Sequence, residues 1–475
     1  MNKFNYWDIT TDILCTLLAV AVIPALIFWV IEQFWFIDRA IFNVDYLWVC
    51  LVLIPFGAVA VATGMASILI LDIVFSFAPA YHFSLASVIY SINDLFRLEP
   101  GFLAAEAGKV MLVVLLGTIS IYLAIKKTQS KRIVIATCVV SVILLTLLDL
   151  RFSANSVVER DSYALNINIA ASSVNNLRLA INTAGQNSRN QKVQLSESAS
   201  QDFRASLANT NEKFQTIILI VVESLGEFSN HELKNFQMEP IVALENHSSI
   251  DLNHGVVAFE GSTVPGELRE LCGIKLLAVH PDTSILPVEE CLPKVLNGMD
   301  YRTWAIHGFI GTLFSRNRWY PALEFDNVWF APELDKQINK ANRCGIAFHG
   351  ICDTDIWKMI VDLKSSEPDS KKFIYWLTLS AHLPVEHTDN SGSSSCSQYQ
   401  LLAQNTELCD LALKHRQFFS EIAMSAKRGD LDNTRIILVG DHSPPFLDNN
   451  TRALFSPEYV PYIDIKIPST LIGSG

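Results

Sequence analysis

Hydrophobic residues are unevenly distributed along this chain. Beyond residue 213, short β-type runs alternate with helix-like segments such as Ala403 to Arg428. That alternation is typical of βαβ units and predicts a mainly parallel sheet covered by helices. The first 150 residues differ, because their long apolar stretches are typical of helices that span a membrane. Four such stretches run from about Ile9 to Ile31, Leu47 to Phe77, Phe102 to Ile125 and Ile133 to Leu148.

The second apolar stretch is too long for a single span. It continues to about Ala86 and contains Pro55, Gly57 and Gly64, residues that can break or kink a helix. We predict two helices there, separated by a tight turn near Thr63–Gly64, and therefore five spans in all. One long kinked helix, with four spans in all, is the alternative.

Basic residues orient the predicted spans. Lys3 places the N-terminus inside, and the loop from Lys126 to Arg132 should face the cytoplasm by the positive-inside rule. The chain after the last span is then outside, which requires an odd number of spans. The first apolar stretch is too long for a cleavable signal peptide and lacks a small-residue cleavage site. We therefore expect a transmembrane domain of about five helices (1–150), a connecting segment of helical tendency (151–213) and an exterior domain (214–475).

Three charged residues, Asp72, Glu106 and Lys109, lie within or at the ends of the predicted spans. A charge inside a membrane is a functional hypothesis by default, because it is costly to keep there. Glu106 and Lys109 are three residues apart near the start of a helix, so a local ion pair is the alternative for them.

Composition limits the partners and indicates the redox environment. The 475 residues include 36 Lys and Arg against 48 Asp and Glu, a net charge of −12, so nucleic acid is not expected as a partner. Three of the nine cysteines lie in predicted spans, and the other six lie in the exterior part. An even number outside the cytoplasm indicates disulfides, although free thiols remain an alternative. We predict pairing between sequence neighbours: Cys272–Cys291, Cys344–Cys352 and Cys396–Cys409.

Four β-type runs end in residues that can bind a metal or a phosphate. These residues are Glu223, His307, His382 and the adjacent pair Asp441 and His442. In an open α/β sheet, ligands bind at the carboxyl ends of the strands, so the four runs predict one assembled site. Carboxylates together with an imidazole suit Zn²⁺ or Mn²⁺.

Two more segments carry candidate chemistry. Ser262 and Thr263 lie in a glycine-flanked turn before a helix, whose N-terminus would stabilise a bound phosphate. Either hydroxyl could be a nucleophile activated by a metal, or could simply cap the helix. Arg316 follows His307 in HGFIGTLFSR, and its guanidinium suits bidentate contact with a phosphate.

The ordered set of motifs resembles the lipoteichoic acid synthase and phosphoethanolamine transferase branch of the sulfatase (alkaline phosphatase-like) superfamily. The motifs are VVESLG with Glu223, GST with Thr263, HGFIGTLFSR with His307 and Arg316, LSAHLP with His382, and VGDHSPP with Asp441 and His442. The resemblance covers nearly the whole chain. It implies a multi-pass α-helical membrane domain followed by an α/β alkaline phosphatase-like domain with a mainly parallel central sheet.

The resemblance also implies a role for each residue. Thr263 would be the nucleophile and, with Glu223, Asp441 and His442, a ligand of one divalent ion, Zn²⁺ or Mn²⁺. His307, Arg316 and His382 would hold the phosphate and assist proton transfer.

Departures from the family pattern leave the donor head group open. Phe314 stands where the lipoteichoic acid synthases usually have an indole, whereas the short Cys344–Cys352 loop is more like the phosphoethanolamine transferases. A CxPxR-type motif, as in true sulfatases, does not occur near Thr263, so sulfate-ester hydrolysis is not expected.

The function that the resemblance implies is group transfer at a membrane. We expect a bacterial inner-membrane protein with its catalytic domain in the periplasm or exterior. It would move phosphoglycerol or phosphoethanolamine from a phospholipid, through phospho-Thr263, to a surface glycan or lipid. The alternatives are a sulfatase-like phosphodiesterase that uses water as acceptor and a catalytically inactive envelope scaffold of the same fold.

Overall fold

The computed structural model describes residues 6–37, 39–153, 170–190, 193–207, 214–276, 280–367, 369–387 and 395–469. The chain forms two compact units. The helical unit comprises Met1–Ile89, Leu103–Gln186 and Leu447–Asn449. The sheet unit comprises Tyr90–Phe102, Asn187–Phe446 and Asn450–Gly475.

Eight helices form the first part of the chain, and those before residue 150 are mostly apolar. A five-residue π-helical turn, Leu18–Val22, joins the first two of them into a continuous helix. The helices are α1 (Tyr6–Leu17), α2 (Ile23–Glu32), α3 (Asp45–Leu53), α4 (Ala58–Phe77), α5 (Leu85–Leu95), α6 (Pro100–Lys126), α7 (Lys131–Ser153) and α8 (Ser173–Asn190). Two short strands, β1 (Phe42–Asn43) and β2 (Ala170–Ala171), pair in parallel.

Three helices of the described residues are long and apolar enough to cross a membrane. They are Tyr6–Glu32, Ala58–Tyr81 and Pro100–Lys126, and Asp45–Phe56 is a shorter apolar helix. The expected span from Ile133 to Leu148 is helical within α7. The expected number of five spans stays a prediction.

The turn predicted near Thr63–Gly64 is wrong. The second apolar stretch does contain two helices, but they separate at Gly57, which has φ +98°. Pro55 precedes this turn and, lacking an N–H, cannot continue the helical hydrogen bonding. Gly64 lies inside α4, where a Cβ would come within 2.4 Å of Leu53 Cδ1, so its role is close helix packing.

The three charged residues predicted within or at the ends of the spans, Asp72, Glu106 and Lys109, form ion pairs. Asp72 in α4 accepts hydrogen bonds from Arg39 Nη2 at 2.9 Å and from the Tyr46 hydroxyl at 3.2 Å. The Arg39 and Asp72 side chains are only 7% and 6% exposed. Glu106 and Lys109 form an exposed pair at 2.6 Å, three residues apart on α6.

The sheet unit is built on one seven-stranded sheet. Its strand order is β5-β13-β12-β4-β11-β7-β8, and the five neighbours from β12 to β8 are parallel. The last strand of the chain, β13, runs antiparallel to both of its neighbours. The strands are β4 (Thr216–Val222), β5 (Asp251–Ala258), β7 (Tyr301–His307), β8 (Asn327–Trp329), β11 (Lys371–Leu377), β12 (Thr434–Gly440) and β13 (Tyr459–Ile467).

Four strands that the sequence predicts, β12, β4, β11 and β7, are adjacent at the centre of this sheet. Every residue of β4 and β12 is buried, because helices cover both faces. Two-residue strands pair outside the sheet as β3 (Gln194–Leu195) with β6 (Ile274–Lys275), and β9 (Arg343–Cys344) with β10 (Gly350–Ile351).

Two hydrophobic cores, one on each face of the sheet, hold the covering helices. The helices of this part of the chain are α9 (Gln201–Leu207), α10 (His231–Val242), α11 (Thr263–Cys272), α12 (Leu292–Asn297), α13 (Arg316–Ala322), α14 (Ala331–Gln337), α15 (Asp353–Ser365), α16 (Gln400–Ala403), α17 (Thr406–Lys427) and α18 (Asn449–Arg452). Helices α11 and α12 contribute to one core, and α10, α15 and α17 to the other.

All three predicted disulfides are confirmed. Cys272 pairs with Cys291, Cys344 with Cys352 and Cys396 with Cys409. The three cysteines that lie in the predicted spans, Cys15, Cys50 and Cys138, form no disulfide among the described residues.

Candidate metal centre and active site

Two neighbouring strands bring three potential metal ligands together. Glu223 follows β4 directly, and Asp441 and His442 follow β12. Ligand atoms of the three side chains all lie within 4.8 Å of one another, and all three residues are buried. Because β4 and β12 are parallel and adjacent, their carboxyl ends meet at one edge of the sheet, as the sequence predicts.

The distances between these atoms suit a tetrahedral ion. His442 Nε2 lies 3.2 Å from Asp441 Oδ2 and 3.7 Å from Glu223 Oε1. Thr263 Oγ1 lies 3.4 Å from Glu223 Oε2 and 3.4 Å from His442 Nε2. A tetrahedral site with bonds of about 2.1 Å separates its ligand atoms by about 3.4 Å. The four side chains therefore fit one Zn²⁺-sized cation.

The hydrogen bonds of the histidine direct its lone pair toward the carboxylates. His442 Nδ1 lies 2.9 Å from the Ser443 carbonyl, which can only accept, so Nδ1 carries the proton. In the neutral ring, Nε2 then presents a lone pair to oxygens of Glu223 and Asp441. Among the described residues, none gives the buried Asp441 Oδ2 a hydrogen bond. Glu223 Oε1 accepts from the Ser224 hydroxyl at 3.1 Å, so the acceptor that is left without a donor is Asp441 Oδ2, and a cation would satisfy it.

The backbone around the cluster holds these ligands in place. Asp441 Oδ1 accepts hydrogen bonds from the backbone N–H groups of Ser224 at 2.9 Å and of His442 at 2.8 Å. Ser224 has φ +56°, a left-handed conformation that turns the chain sharply after Glu223. The remaining oxygen of Asp441 is thereby directed toward Glu223 and His442.

A buried histidine, His415 of α17, contacts the backbone of Glu223. Gln237 donates to its Nδ1 at 2.9 Å, so its Nε2–H donates to the Glu223 carbonyl at 3.1 Å. Burial lowers the pKa of His415 to about 4, so the ring is neutral at neutral pH. The backbone N–H of Glu223 donates to Thr378 Oγ1 at 2.9 Å.

Electrostatics also favour a cation at the cluster. Burial, and next the nearby charge of Asp441, raise the pKa of Glu223 well above its usual value. Two buried carboxylates this close repel each other when both are ionised. A divalent ion reverses that effect, because it stabilises the ionised form of both.

Thr263 is the first residue of α11, and Ser262 is the N-cap residue. Gly261 has φ +81°, so the chain makes a left-handed turn just before the helix. The Ser262 side chain makes no capping hydrogen bond, whereas Thr263 Oγ1 contacts both Glu223 and His442. Of the two candidate hydroxyls, Thr263 is the one that the structure brings to the cluster.

Helix α11 packs directly on the end of β12. A Cβ at Gly266 would lie 3.0 Å from both Cα and the carbonyl oxygen of Asp441, so glycine permits this approach. Arg269, one turn further on, donates to the Gly440 carbonyl at 2.7 Å. The helix that carries Thr263 is thus fixed to the strand that carries Asp441.

Arg316, at the start of α13, is buried and paired with Glu267. Its Nε and Nη2 lie 2.9 and 2.8 Å from Glu267 Oε2. The other oxygen of Glu267 accepts from the Tyr320 hydroxyl and from the Tyr375 hydroxyl at 2.9 Å. Burial alone would lower the pKa of Arg316, but Glu267 and the tyrosines raise it, so the guanidinium stays charged. Its positive charge contributes to the lowered pKa values of His307 and His382 and opposes part of the rise in the pKa of Glu223.

The two predicted phosphate-binding histidines are neutral in this environment. Burial lowers the pKa of His307 to about 3 and that of His382 to about 4, and the Arg316 charge adds to both shifts. Each Nδ1 lies near a carbonyl, 3.2 Å from Leu377 for His307 and 2.7 Å from Leu383 for His382. Each Nε2 is then the atom that can take up a proton.

His382 is not at a strand end, contrary to its predicted position. Strand β11 ends at Leu377, and His382 lies five residues further, in a loop that continues through a cis peptide bond, Leu383–Pro384. The buried Asp353 holds this loop by accepting hydrogen bonds from the backbone N–H groups of Leu379 and Ser380. Phe348 packs edge-on against His382 with centroids 4.4 Å apart.

Sequence analysis missed Glu267 and His415. Glu267 lies four residues after Thr263 on the same helix, and that spacing places both side chains on one face. This signal was present in the sequence. For His415, inside a helix far from the motifs, the sequence offers no such signal.

Comparison with known families gives one match. The profile of the Sulfatase family matches residues 215–471, more than half of the chain. No curated protein matches the sequence.

Several solved structures align with part of the chain. The lipoteichoic acid synthase LtaP of Listeria monocytogenes is 13% identical over 58% of this chain and 72% of its own, with a TM-score of 0.38. The phosphoglycerol transferase GacH of Streptococcus pyogenes, in complex with sn-glycerol-1-phosphate, is 14% identical over 57% and 78%, with a TM-score of 0.36. The C-terminal periplasmic domain of EptC of Escherichia coli, in complex with zinc, is 14% identical over 55% and 74%, with a TM-score of 0.37.

Proposed function

Because this chain belongs to the sulfatase family, we propose that it is a membrane-anchored, metal-dependent phosphotransferase. Its donor is a phospholipid, and the transferred group is phosphoglycerol or phosphoethanolamine. Its acceptor is a hydroxyl of a cell-envelope glycan or lipid. One observation carries the proposal: Thr263 Oγ1, at the N-terminus of α11, lies 3.4 Å from both Glu223 and His442 within a buried cluster of acceptors.

The residues present fit a divalent metal ion, zinc or manganese. Glu223, Asp441, His442 and Thr263 would hold the ion. Two observations support this: Asp441 Oδ2 is buried and accepts no hydrogen bond from the described residues, and the ligand atoms lie close together. When bound, such an ion lowers the pKa of a hydroxyl that contacts it and offsets negative charge on a phosphate.

The proposed reaction has two balanced steps at Thr263. Thr263 Oγ1 attacks the phosphorus of the donor, the phosphorus–oxygen bond to diacylglycerol breaks, and diacylglycerol leaves with the proton that Thr263 loses. The acceptor hydroxyl then attacks the phosphorus of phospho-Thr263, and its proton returns to the threonine. Splitting one transfer into two displacements is the purpose of a covalent nucleophile.

The other site residues bind the phosphate and move protons. Arg316, charged and fixed by Glu267, can contact phosphate oxygens in both steps. The N-terminus of α11 adds backbone N–H groups and a favourable dipole. His307 and His382 can each hold a proton at Nε2 between its departure from one hydroxyl and its arrival at the other.

The apolar helices support the choice of a lipid donor. Three helices long and apolar enough to cross a bilayer would keep the enzyme at the surface where phospholipids lie. The basic loop around Lys126 and Arg132 supports an orientation with the catalytic residues outside the cytoplasm.

Mass spectrometry of the peptide that contains Thr263 tests this proposal. The full-length protein is loaded with Mn²⁺ or Zn²⁺ and incubated with vesicles of phosphatidylglycerol or of phosphatidylethanolamine. We expect the head-group phosphate of one donor to be added to Thr263, and the added mass identifies that donor. Thr263→Ala should lose the modification and turnover, whereas the matched control Ser262→Ala should keep most of both.

Three outcomes would contradict the proposal. Thr263→Ala transferring at near wild-type rate would remove the covalent mechanism. Release of the head group to water, at the same rate with and without glycan or lipid acceptors, would identify a hydrolase. A fully metal-loaded protein that modifies neither itself nor any acceptor would favour an inactive scaffold.

A further inference from the structure

A segment that is far from the site in sequence belongs to the sheet unit. Tyr90–Phe102 runs from the second half of α5 into the first turn of α6, yet its contacts assign it to the sheet unit. Within that unit it carries a carboxylate, Asp94, and a guanidinium, Arg97, joined at 3.1 Å. The Asp94 side chain is only 7% exposed, so its charge requires partners.

Asp94 is connected through a histidine to the loop that precedes Arg316. Asp94 Oδ2 lies 2.9 Å from His280 Nε2, and His280 Nδ1 lies 2.9 Å from Ser315 Oγ. A carboxylate only accepts, so His280 Nε2 carries a proton and donates to Asp94, while Nδ1 of the same ring contacts the Ser315 hydroxyl. The imidazole lies edge-on to Phe314, with ring centroids 6.0 Å apart.

The loop held in this way has a strained backbone. Phe314 has φ +51° and Ser315 has φ +55°, so two consecutive residues with side chains adopt the left-handed conformation. Each such residue costs on the order of 1 kcal/mol or more and persists only where the surroundings fix it. Arg316 follows at once, with its guanidinium 5.3 Å from the centre of the Phe314 ring.

The same segment makes two other contacts, one with this loop and one with the chain before Phe348. Arg97 Nη1 donates to Thr312 Oγ1, two residues before the strained pair. The backbone N–H of Glu99 donates to the Ala347 carbonyl at 2.9 Å, next to Phe348, which packs on His382. Tyr90–Phe102 therefore contacts residues near Arg316 and residues near His382, two of the side chains proposed to bind the phosphate.

We propose that Asp94 and His280 are positioning residues for Arg316, acting through Ser315, and that Tyr90–Phe102 is thereby a part of the catalytic apparatus. This inference rests on the proposed function, in which Arg316 contacts the donor phosphate. Glu267, which lies on α11 with Thr263, fixes the guanidinium of Arg316. His280, through Ser315, fixes the backbone just before Arg316.

Substitutions of His280 that keep only one of its two hydrogen bonds test this proposal. An Asn side chain can replace the Nδ1 contact of a histidine, and a Gln side chain the Nε2 contact. His280→Asn therefore keeps the bond to Ser315, whereas His280→Gln keeps only the bond to Asp94. The variants are made in the full-length, metal-loaded protein, together with Ser315→Ala and the double variant His280→Gln/Ser315→Ala. His254→Gln is the matched control, because His254 pairs with Glu245 at an exposed position on β5.

We expect His280→Gln and Ser315→Ala to raise the donor KM about tenfold, which corresponds to about 1.4 kcal/mol of lost contact. Metal content and melting temperature should stay near wild type. His280→Asn, which keeps the contact with Ser315 but loses Asp94, should raise the donor KM by a smaller factor, about threefold. The double variant His280→Gln/Ser315→Ala should be no worse than either single variant, because both remove the same hydrogen bond. His254→Gln should have no effect.

Equal activity of His280→Gln and wild type would overturn the proposal, as would additive losses in the double variant. Losses that follow only the melting temperature would show a purely structural role and would also overturn it. Binding of inorganic phosphate to each variant separates this inference from the proposed function. Weaker phosphate binding by His280→Gln, in a protein that never forms phospho-Thr263, would leave the positioning role intact while removing the transferase.

Discussion

Two clusters of buried charge, one in each unit, differ in how their charges are balanced. In the helical unit, the carboxylate of Asp72 receives hydrogen bonds from Arg39 and Tyr46, so a protein cation offsets its charge. In the sheet unit, the carboxylates of Glu223 and Asp441 both lie close to Nε2 of His442. One oxygen of Asp441 receives no hydrogen bond from the described residues. A buried charge alone therefore does not mark a functional site, whereas an unbalanced one indicates a missing partner.

The largest expected effect tests the unbalanced cluster. Asp441→Asn should reduce transfer about a thousandfold, because the metal supplies several kcal/mol of transition-state stabilisation. The same variant should unfold at a higher temperature than wild type in the presence of a chelator, since it removes repulsion from Glu223. Calorimetry with and without chelator, combined with an activity assay, checks both parts.

Asp464→Asn is the matched control for this experiment. Asp464 forms a buried ion pair with Arg435 in the same unit, at 2.6 Å. Its substitution should lower the unfolding temperature with or without the chelator. A fall for Asp441→Asn in the chelator would show that its cluster is balanced by the protein after all.

The second prediction concerns the balanced cluster. Asp72→Asn should destabilise the helical unit by about 3–5 kcal/mol, because the Arg39 charge would stay buried without its partner. Thermal unfolding in detergent measures this loss. An Asp72→Asn protein of unchanged stability but reduced transfer would instead give Asp72 a functional role.

The third prediction concerns a buried group that carries no charge. The pKa of His415 is about 4 in the folded protein, below the ordinary histidine value of about 6.5, so the unfolded state binds the proton first as the pH falls. Stability should then decrease from about pH 6.5 toward pH 4, by about 1.4 kcal/mol per pH unit for this residue. His415→Gln keeps a donor to the Glu223 carbonyl but does not titrate, so its stability should fall less steeply over that range. Parallel pH profiles of the two proteins would contradict this role.

The smallest effect is expected at the exposed pair on α6. Glu106 and Lys109 side chains are 47% and 65% exposed, and exposed pairs contribute at most about 1 kcal/mol. The double variant Glu106→Gln/Lys109→Gln should therefore transfer at a rate within about twofold of wild type. A large loss of activity would show that exposure is a poor guide to function on this helix.

Part of the site was predictable because parallel strands end at the same edge. Glu223, His307, Asp441 and His442 each follow or end a run of apolar residues, and the adjacent strands β12, β4, β11 and β7 bring these residues to one edge of the sheet. Pairing of cysteines close in sequence was predictable for a similar reason, since a short loop limits how far the two residues can separate.

Other parts depend on packing that the sequence does not display. Gly64 and Gly57 are equivalent as sequence signals, but only Gly57 takes a positive φ, while Gly64 accommodates a neighbouring helix. The link between Asp94 and His280 joins residues 186 positions apart. Such a contact follows from tertiary structure, and a single sequence contains no local pattern for it.

Gly266 has a consequence for the tolerance of the site. A Cβ at this position would meet Cα, the carbonyl oxygen and Cβ of Asp441 at 3.0–3.2 Å, atoms that cannot move aside as the end of a long side chain could. The closeness of the helix to the strand end therefore depends on the absence of a side chain at residue 266. An alanine there should increase the separation of the two elements and move Thr263 away from Glu223 and His442.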